Sequence, residues 1–259
     1  MKRSHISQLS GLRFIMLAAL LLVTAFAYTQ TNKELYAAAA ALYKQNQFEP
    51  AAADYEKLVA AKQATAEVYF NLGNCYYKQN KLGKAILNYE RAKALAPGDE
   101  DISANLRIAN AHLLDKVQPV PQLAVVKACS DFISAHSCNG WRTAALAFIW
   151  LAAILLSASL FITAFKSSLR GVGISLLLLS LGSAWFGHMQ SSKVSDSGRA
   201  VLLAESTYAK SSPDAAGNNA FLIHEGITFE LLDKVGNWNK IRLCDGKVGW
   251  IEAGNFEKI

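Results

Sequence analysis

Ala66-Glu-Val-Tyr-Phe-Asn-Leu-Gly-Asn-Cys-Tyr-Tyr-Lys-Gln-Asn80 stands 34 residues after Asn32-Lys-Glu-Leu-Tyr-Ala-Ala-Ala-Ala-Ala-Leu-Tyr-Lys-Gln-Asn46. At that offset Tyr43-Lys44-Gln45-Asn46 falls on Tyr77-Lys78-Gln79-Asn80, Ala51 on Ala85, and Tyr55-Glu56 on Tyr89-Glu90. One period held across two helical segments is the signature of a repeat architecture, in which each unit buries its apolar face only against a neighbour.

The second copy resembles a tetratricopeptide repeat (TPR). Tyr69, Leu72, Gly73, Tyr76, Ala85, Tyr89, Ala92 and Pro97 occupy the eight characteristic positions of that repeat. The residue types make physical sense. Gly73 and Ala85 are small where two antiparallel helices cross, Tyr76 and Tyr89 fill the space beside them, and Pro97 ends the second helix. The first copy is degenerate, with Ala39 for the glycine and Gln63 for the proline. A partial third copy begins at Glu100, where Ile102, Leu106, Ala109 and Leu113 keep helical spacing until Pro119 and Pro121 stop it. The expected array is 32–116, with repeats 32–65 and 66–99 and a capping helix 100–116.

TPR units bind peptides or proteins in a concave groove lined by the first helix of each repeat. Carried over by position, the groove residues are Tyr36, Ala40, Tyr43 and Lys44, then Phe70, Asn74, Tyr77 and Lys78. Aromatic rings beside lysines suit an extended peptide, through stacking and charge pairing. The alternative is that these rings pack against the neighbouring repeat. Asn74 is the only match to the carboxylate-clamp subtype, so capture of a free C-terminal carboxylate is not expected.

Outward from the repeats, composition points to a membrane. The apolar fraction is 52% and the charged fraction 18%, and the apolar residues concentrate at the N-terminus and between 144 and 189. Lys2, Arg3 and Arg13 precede an apolar run from Phe14 to Phe26, and Ala25-Phe26-Ala27 provides small residues at a cleavage site. These features describe a secretory signal over 1–27, either cleaved or retained as an anchor. Both versions put the following residues outside the cytoplasm. The leader supplies three of the six net positive charges, while residues 33–116 carry 11 basic and 10 acidic side chains and residues 190–259 carry 8 and 9. Neither part has the basic excess that nucleic-acid binding needs.

Residues 144–165 and 171–189 contain no acid or base except His188, and each is long enough to span a bilayer as a helix. Lys166-Ser-Ser-Leu-Arg170 between them reads as a tight turn, and its two positive charges mark it as cytoplasmic. Both flanking domains then face the periplasm. Trp141 and Trp185 read as interfacial anchors, whereas Trp150 falls deeper in the span. Small residues at four-residue spacing (Ala153/Ser157, Ser180/Ala184, Ser183/Gly187) permit close helix packing within the hairpin or between molecules. The linker 117–143 carries Cys129 and Cys138, a possible disulfide in an oxidising compartment. Cys75 reads as a buried hydrophobe.

From residue 199 to 259 short β-rich runs alternate with turns. Asp245-Gly246 between two alternating strands signals a hairpin. Glu225-Gly226, Trp238 and Gly246-Lys-Val-Gly-Trp-Ile251 resemble bacterial SH3 domains, which are five-stranded barrels that bind peptides, cell-wall fragments or neighbouring domains. Trp238 and Trp250 are candidates for an aromatic platform, or for barrel core. The expected fold is therefore a multidomain membrane protein: an α-helical TPR solenoid, a two-helix transmembrane hairpin and an all-β SH3-like barrel.

This order resembles the E component of the Bacteroides aerotolerance (Bat) operon proteins. Its specific points are Asp101-Ile102, Asn105-Leu106, Asp115-Lys116, the charged hairpin turn and the Gly-Trp-Ile ending. The resemblance implies a non-enzymatic inner-membrane scaffold, partnered by other Bat proteins including membrane-anchored von Willebrand A-type proteins, and linked to oxidative-stress tolerance. Two other functions stay open: an envelope tether whose SH3-like domain recognises peptidoglycan, and a thiol redox sensor using Cys129 and Cys138. No HExxH, GxSxG, P-loop or dinucleotide fingerprint occurs, and no cofactor or metal is expected.

Overall fold

Asn46 and Asn80, equivalent in the repeat, both adopt left-handed backbone, at φ +61° and +60°. Asparagine tolerates this conformation better than most residues, and each ends a helix the same way. The Gln47 amide donates to the Leu42 carbonyl at 3.0 Å and the Lys81 amide to the Tyr76 carbonyl at 2.9 Å. That six-to-one bond closes the helix end and turns the chain into the next helix. A computed structural model describes residues 32–118, 120, 121, 123–162, 164–195 and 198–259. The 1–27 signal expectation lies outside the described residues.

Five helices follow these turns. They are α1 over 32–44, α2 (Phe48–Ala60), α3 (Ala66–Lys78), α4 (Leu82–Leu95) and α5 (Glu100–Ala111). Thr65 caps α3 by accepting from the Val68 amide at 3.3 Å, and Asp99 caps α5 by accepting from the Asp101 and Ile102 amides. The chain divides into two units, residues 1–64 and 65–259. In the first, Ala39, Ala51, Tyr55 and Leu58 are buried. In the second, α3, α4 and α5 pack together, and a Cβ at Gly73 would sit 2.6 Å from the Tyr89 ring. Helix α5 stops at Ala111, short of the expected end at residue 116.

Helix α4 is buried nearly all round: Ala85, Ile86, Leu87, Asn88 and Tyr89 are consecutive and buried. A helix apolar or small on every side needs partners on every side. One side meets α3, and another meets strand β1 (Arg199–Leu202) of the C-terminal sheet.

Described residues of the region expected as a linker, 117–143, belong to the fold. Val117 packs against the sheet core, the Val120 amide donates to the Cys244 carbonyl at 3.1 Å, and α6 spans Ala124–Ser134. Helices α7 (Cys138–Phe161) and α8 (Lys166–Ser195) are long and apolar enough to cross a membrane. The chain reverses before Lys166, so Lys166–Arg170, expected as the turn, forms the start of α8. Helix α7 begins at Cys138, six residues before the expected span, so that Trp141 and Arg142 lie in its first turns, and Ser137 caps it.

The hairpin seam is made of small residues seven apart. Ala145, Ala152 and Ser159 of α7 and Gly173, Ser180 and Gly187 of α8 are buried. A Cβ at Gly173 would lie 2.8 Å from Leu156, and one at Gly187 3.2 Å from Trp141. This is antiparallel packing at heptad spacing. The Ala153/Ser157 pair points outward instead, and Ala184 is exposed.

Seven antiparallel strands form one sheet in the order β3-β2-β6-β5-β4-β1-β7. They are β1 (Arg199–Leu202), β2 (Ser206–Lys210), β3 (Asn219–His224), β4 (Thr228–Val235), β5 (Trp238–Leu243), β6 (Val248–Glu252) and β7 (Phe256–Lys258). Gly236 (φ +57°) turns the chain from β4 into β5, and Gly246 (φ +91°) from β5 into β6, the second at the Asp245-Gly246 hairpin read from the sequence. Its core holds Leu202, Ile223, Phe229, Ile241, Leu243 and Ile251. Neither Trp238 nor Trp250 belongs to it.

All four cysteines carry free thiols. Cys129 and Cys138, the possible disulfide pair, stand on α6 and at the first residue of α7. Burial pushes the Cys75 thiol up to about 12, whereas Cys244 is exposed. In native protein at pH 8 a maleimide is therefore expected to modify Cys244 and leave Cys75 untouched until denaturant is added. Mass spectrometry of the adducts checks this, and native labelling of Cys75 would contradict the packing of α3.

Candidate interaction surface

The groove residues divide between ring packing and open surface. In the first unit Tyr36 lies edge-on to Tyr55 with centroids 5.7 Å apart, Tyr43 edge-on to Phe48 at 5.3 Å, and Ala40 is half-buried. Lys44 is exposed. In the second unit Phe70, Asn74, Tyr77 and Lys78 share one face of α3, at the three- and four-residue spacings that align side chains on a helix. Phe70 tilts against Tyr89 at 6.0 Å and Tyr77 lies edge-on to His112 at 5.8 Å.

Asn74 is committed within the fold. Its Oδ1 accepts from the Tyr89 hydroxyl at 2.7 Å and from the Asn105 amide at 2.9 Å. The bonds tie α3 to both α4 and α5, so the side chain organises the face more than it projects from it. Asn105 and His112 of α5 join this face, and residue-by-residue transfer from the repeat pattern did not find them. The available signal was the 34-residue offset, which sets Asn105 on Asn71.

The two tryptophans share the outer face of the sheet. Burial alternates along β5 and β6, with Asn239, Ile241, Gly249 and Ile251 inward. Trp238 pairs with Glu252 and Trp250 with Lys240, which makes the tryptophans diagonal neighbours. Lys240 Nζ stands 5.9 Å from the Trp250 ring centroid. Both indoles are half-buried, a ring surface next to a cation. Gly249 between them is required because a Cβ there would approach Ala209 to 2.8 Å.

Glu225 and Gly226 bind the repeats. Glu225 Oε1 accepts from the Gly83 amide of α4 at 2.8 Å. A Cβ at Gly83 would lie 2.7 Å from Glu225 Cγ and 2.8 Å from the Leu202 carbonyl oxygen. Gly226 has φ +88°, and a Cβ on it would strike Leu113 and approach Ile86. Arg91 donates to Glu257 and to the Lys258 carbonyl, Arg199 pairs with Glu90 at 3.1 Å, and Asp115 accepts from the His224 amide at 2.7 Å. Beside this junction a cleft of about 790 Å³ runs between Lys116, Val117, Gln118 and Val120 on one side and the sheet on the other, reaching Phe229, Arg242 and Cys244.

Among the described residues no group of three His, Cys, Asp or Glu could hold a metal ion. The arrangement offers aromatic faces, paired charges and a cleft, which are the means of binding polypeptide.

Comparison with known families agrees with the helical part. Residues 66–99 match the family model described as tetratricopeptide repeat, and residues 39–80 match a second described as TPR repeat. No curated protein sequence matches the chain. TPR repeats are protein-interaction motifs, and residues 39–99 carry them.

Proposed function

We propose that this protein is a membrane-anchored, non-enzymatic scaffold that holds partner proteins on a composite surface of TPR helices and an SH3-like domain. The observation that carries this reading is the junction of α4 with the 224–226 turn and β1. Its two sides come from opposite ends of the α7–α8 hairpin in sequence. Segments in contact lie on the same side of any membrane that the hairpin crosses. Lys166 and Arg170 stand at the hairpin tip, and positive charge favours the cytoplasm there. The TPR helices and the sheet are then periplasmic, on the outer face of a bacterial inner membrane.

The membrane reading is supported by what the hairpin leaves uncovered. Leu146, Trp150, Ile154, Leu178, Leu181 and Trp185 are all exposed, although burying such side chains is worth about 1.5–3 kcal/mol each. Lipid is the solvent that accepts this surface. The SH3-like reading draws on the glycine-turned hairpins, the close approach at Gly249 and the small antiparallel core. The binding residues of the composite surface are then Phe70, Tyr77 and Lys78 with Asn74 behind them, and the Trp238/Trp250 face; Tyr36, Tyr43 and Lys44 are the binding residues of the first unit, taken by itself.

The likeness to the Bat E component narrows the partners to Bat membrane proteins of von Willebrand A type, and the setting to oxidative-stress tolerance. Crosslinking in native membranes followed by affinity capture is expected to recover such proteins. A double substitution, Trp238→Ala with Trp250→Ala, is expected to lower that recovery several-fold without unfolding the sheet, because neither ring is in its core. Capture that yields no von Willebrand A-type protein would reject the reading.

A further inference from the structure

The geometry points to α6 as an interfacial helix that lies flat in the outer leaflet and seats the soluble domains on the lipid surface. This inference rests on the membrane-spanning reading of α7 and α8. Helix α6 (Ala124–Ser134) ends three residues before α7 begins at Cys138. At 3.6 residues per turn, Val125, Val126, Ala128, Cys129, Phe132 and Ile133 fall within one arc of about 160°. Ser130, Asp131 and Ser134 occupy the opposite arc. Helices that lie in a membrane interface have this sharp two-sided form.

The apolar arc is open. Val125 is 75% exposed, Val126 55% and Phe132 57%, and only Ile133 is buried. What holds α6 is its last turn. The Trp141 indole donates to the Ile133 carbonyl at 3.0 Å, and Phe132 lies 5.6 Å from Trp141 and 6.1 Å from Phe186, centroid to centroid. Phe186 stands three residues before Met189, the end of the charge-free stretch of α8. The aromatic cluster therefore marks the level where hydrocarbon gives way to water, the depth that tryptophan favours. A helix anchored there, with its apolar face open, meets lipid continuous with the lipid around the hairpin. A soluble partner would have to displace that lipid.

Ala135, the residue that caps the end of α6, touches the repeats. A Cβ at Gly98, in the turn between α4 and α5, would lie 2.8 Å from the Ala135 carbonyl oxygen. Lipid binding by α6 thus sets the height and tilt of α3–α5 above the membrane.

The test uses the full chain in lipid nanodiscs, with Cys138→Ser and Cys244→Ser and with buried Cys75 retained. A nitroxide is attached to Cys129. Parallel chains with Cys129→Ser carry it at Asp131→Cys on the polar arc, or at Ala153→Cys on the outward face of α7. The oxygen-to-nickel-chelate accessibility ratio is expected to be several-fold higher at 129 than at 131, and close to that at 153. Val125→Cys provides a second position on the apolar arc and is expected to behave as 129 does. A ratio at 129 and 125 equal to that at 131, with 153 still lipid-facing, overturns the inference and leaves the spans intact. Exclusion of both relaxers at 129 and 125 overturns it in favour of a protein cover. A water-exposed 153 overturns the spans themselves.

Discussion

Gly73→Ala is expected to destabilise the repeats, although alanine is the better helix former. Propensity alone predicts a gain of about 1 kcal/mol for replacing glycine inside a helix. Geometry opposes it. The new Cβ would stand 2.6 and 2.7 Å from two Tyr89 ring carbons and 3.2 Å from the Ala85 carbonyl oxygen. Tyr89 is 1% exposed, and its hydroxyl is fixed on Asn74, so the ring has no free space to enter. Overpacking of this kind costs about 1–3 kcal/mol. Displacing the ring also strains a buried hydrogen bond, at about 1 kcal/mol or more. The steric loss wins, with a net destabilisation of about 1–3 kcal/mol. Gly73→Val adds bulk and β-branching and is expected to lose about 3 kcal/mol, a large part of a typical domain's total stability.

Denaturant melts of the purified protein in detergent, followed by circular dichroism, measure these differences. Gly182→Ala is the control: it is also helical, but its Cβ would meet nothing within 4 Å. It should be neutral or stabilising. A Gly73→Ala protein as stable as its parent would mean that α3 and α4 cross less closely than described.

The repeats were legible because their constraints are local and periodic. A glycine at a helix crossing, an asparagine at a left-handed turn and apolar residues on one helical face recur at one offset. The hairpin turn at Asp245-Gly246 was legible because its signal is equally local. The junction was not, because its signal is spread over distant segments. Ile86 and Leu87 look like ordinary helix residues until α4 is seen to be covered on both sides. Glu225 and Gly226 were noticed as a motif, yet what they fit is the Gly83 amide 142 positions away. The 124–134 stretch was overlooked because eleven residues are too few for a span, and its open apolar arc appears only once the helix bounds are known. Asn74 was selected by position as a binding residue, but a side chain that repeats a motif position is not thereby free. Its oxygen was already claimed by Tyr89 and Asn105.

Gly226→Val is expected to separate the sheet domain from the repeats while each stays folded. Two penalties combine. A φ of +88° is left-handed backbone, which costs a side-chain-bearing residue roughly 1–2 kcal/mol. The added carbons would also strike Leu113 and approach Ile86. Both belong to the repeat side of the junction, so the clash is relieved by undocking rather than by unfolding the sheet. Gly246→Val separates the two penalties, because its φ is +91° but nothing lies within 4 Å. It carries the strain without the clash.

Hydrogen exchange reads the outcome at the Gly83 amide, whose acceptor is Glu225. A loss of about 3 kcal/mol in docking corresponds to roughly a hundredfold rise in its opening. Gly226→Val should show that rise with the exchange of β5 and β6 unchanged, and Gly246→Val should not show it. Glu225→Gln keeps an acceptor oxygen and should fall between them. If partners read the joined surface, Gly226→Val also lowers their capture, whereas Gly246→Val leaves it intact. Capture that survives undocking would assign partner binding to one domain alone.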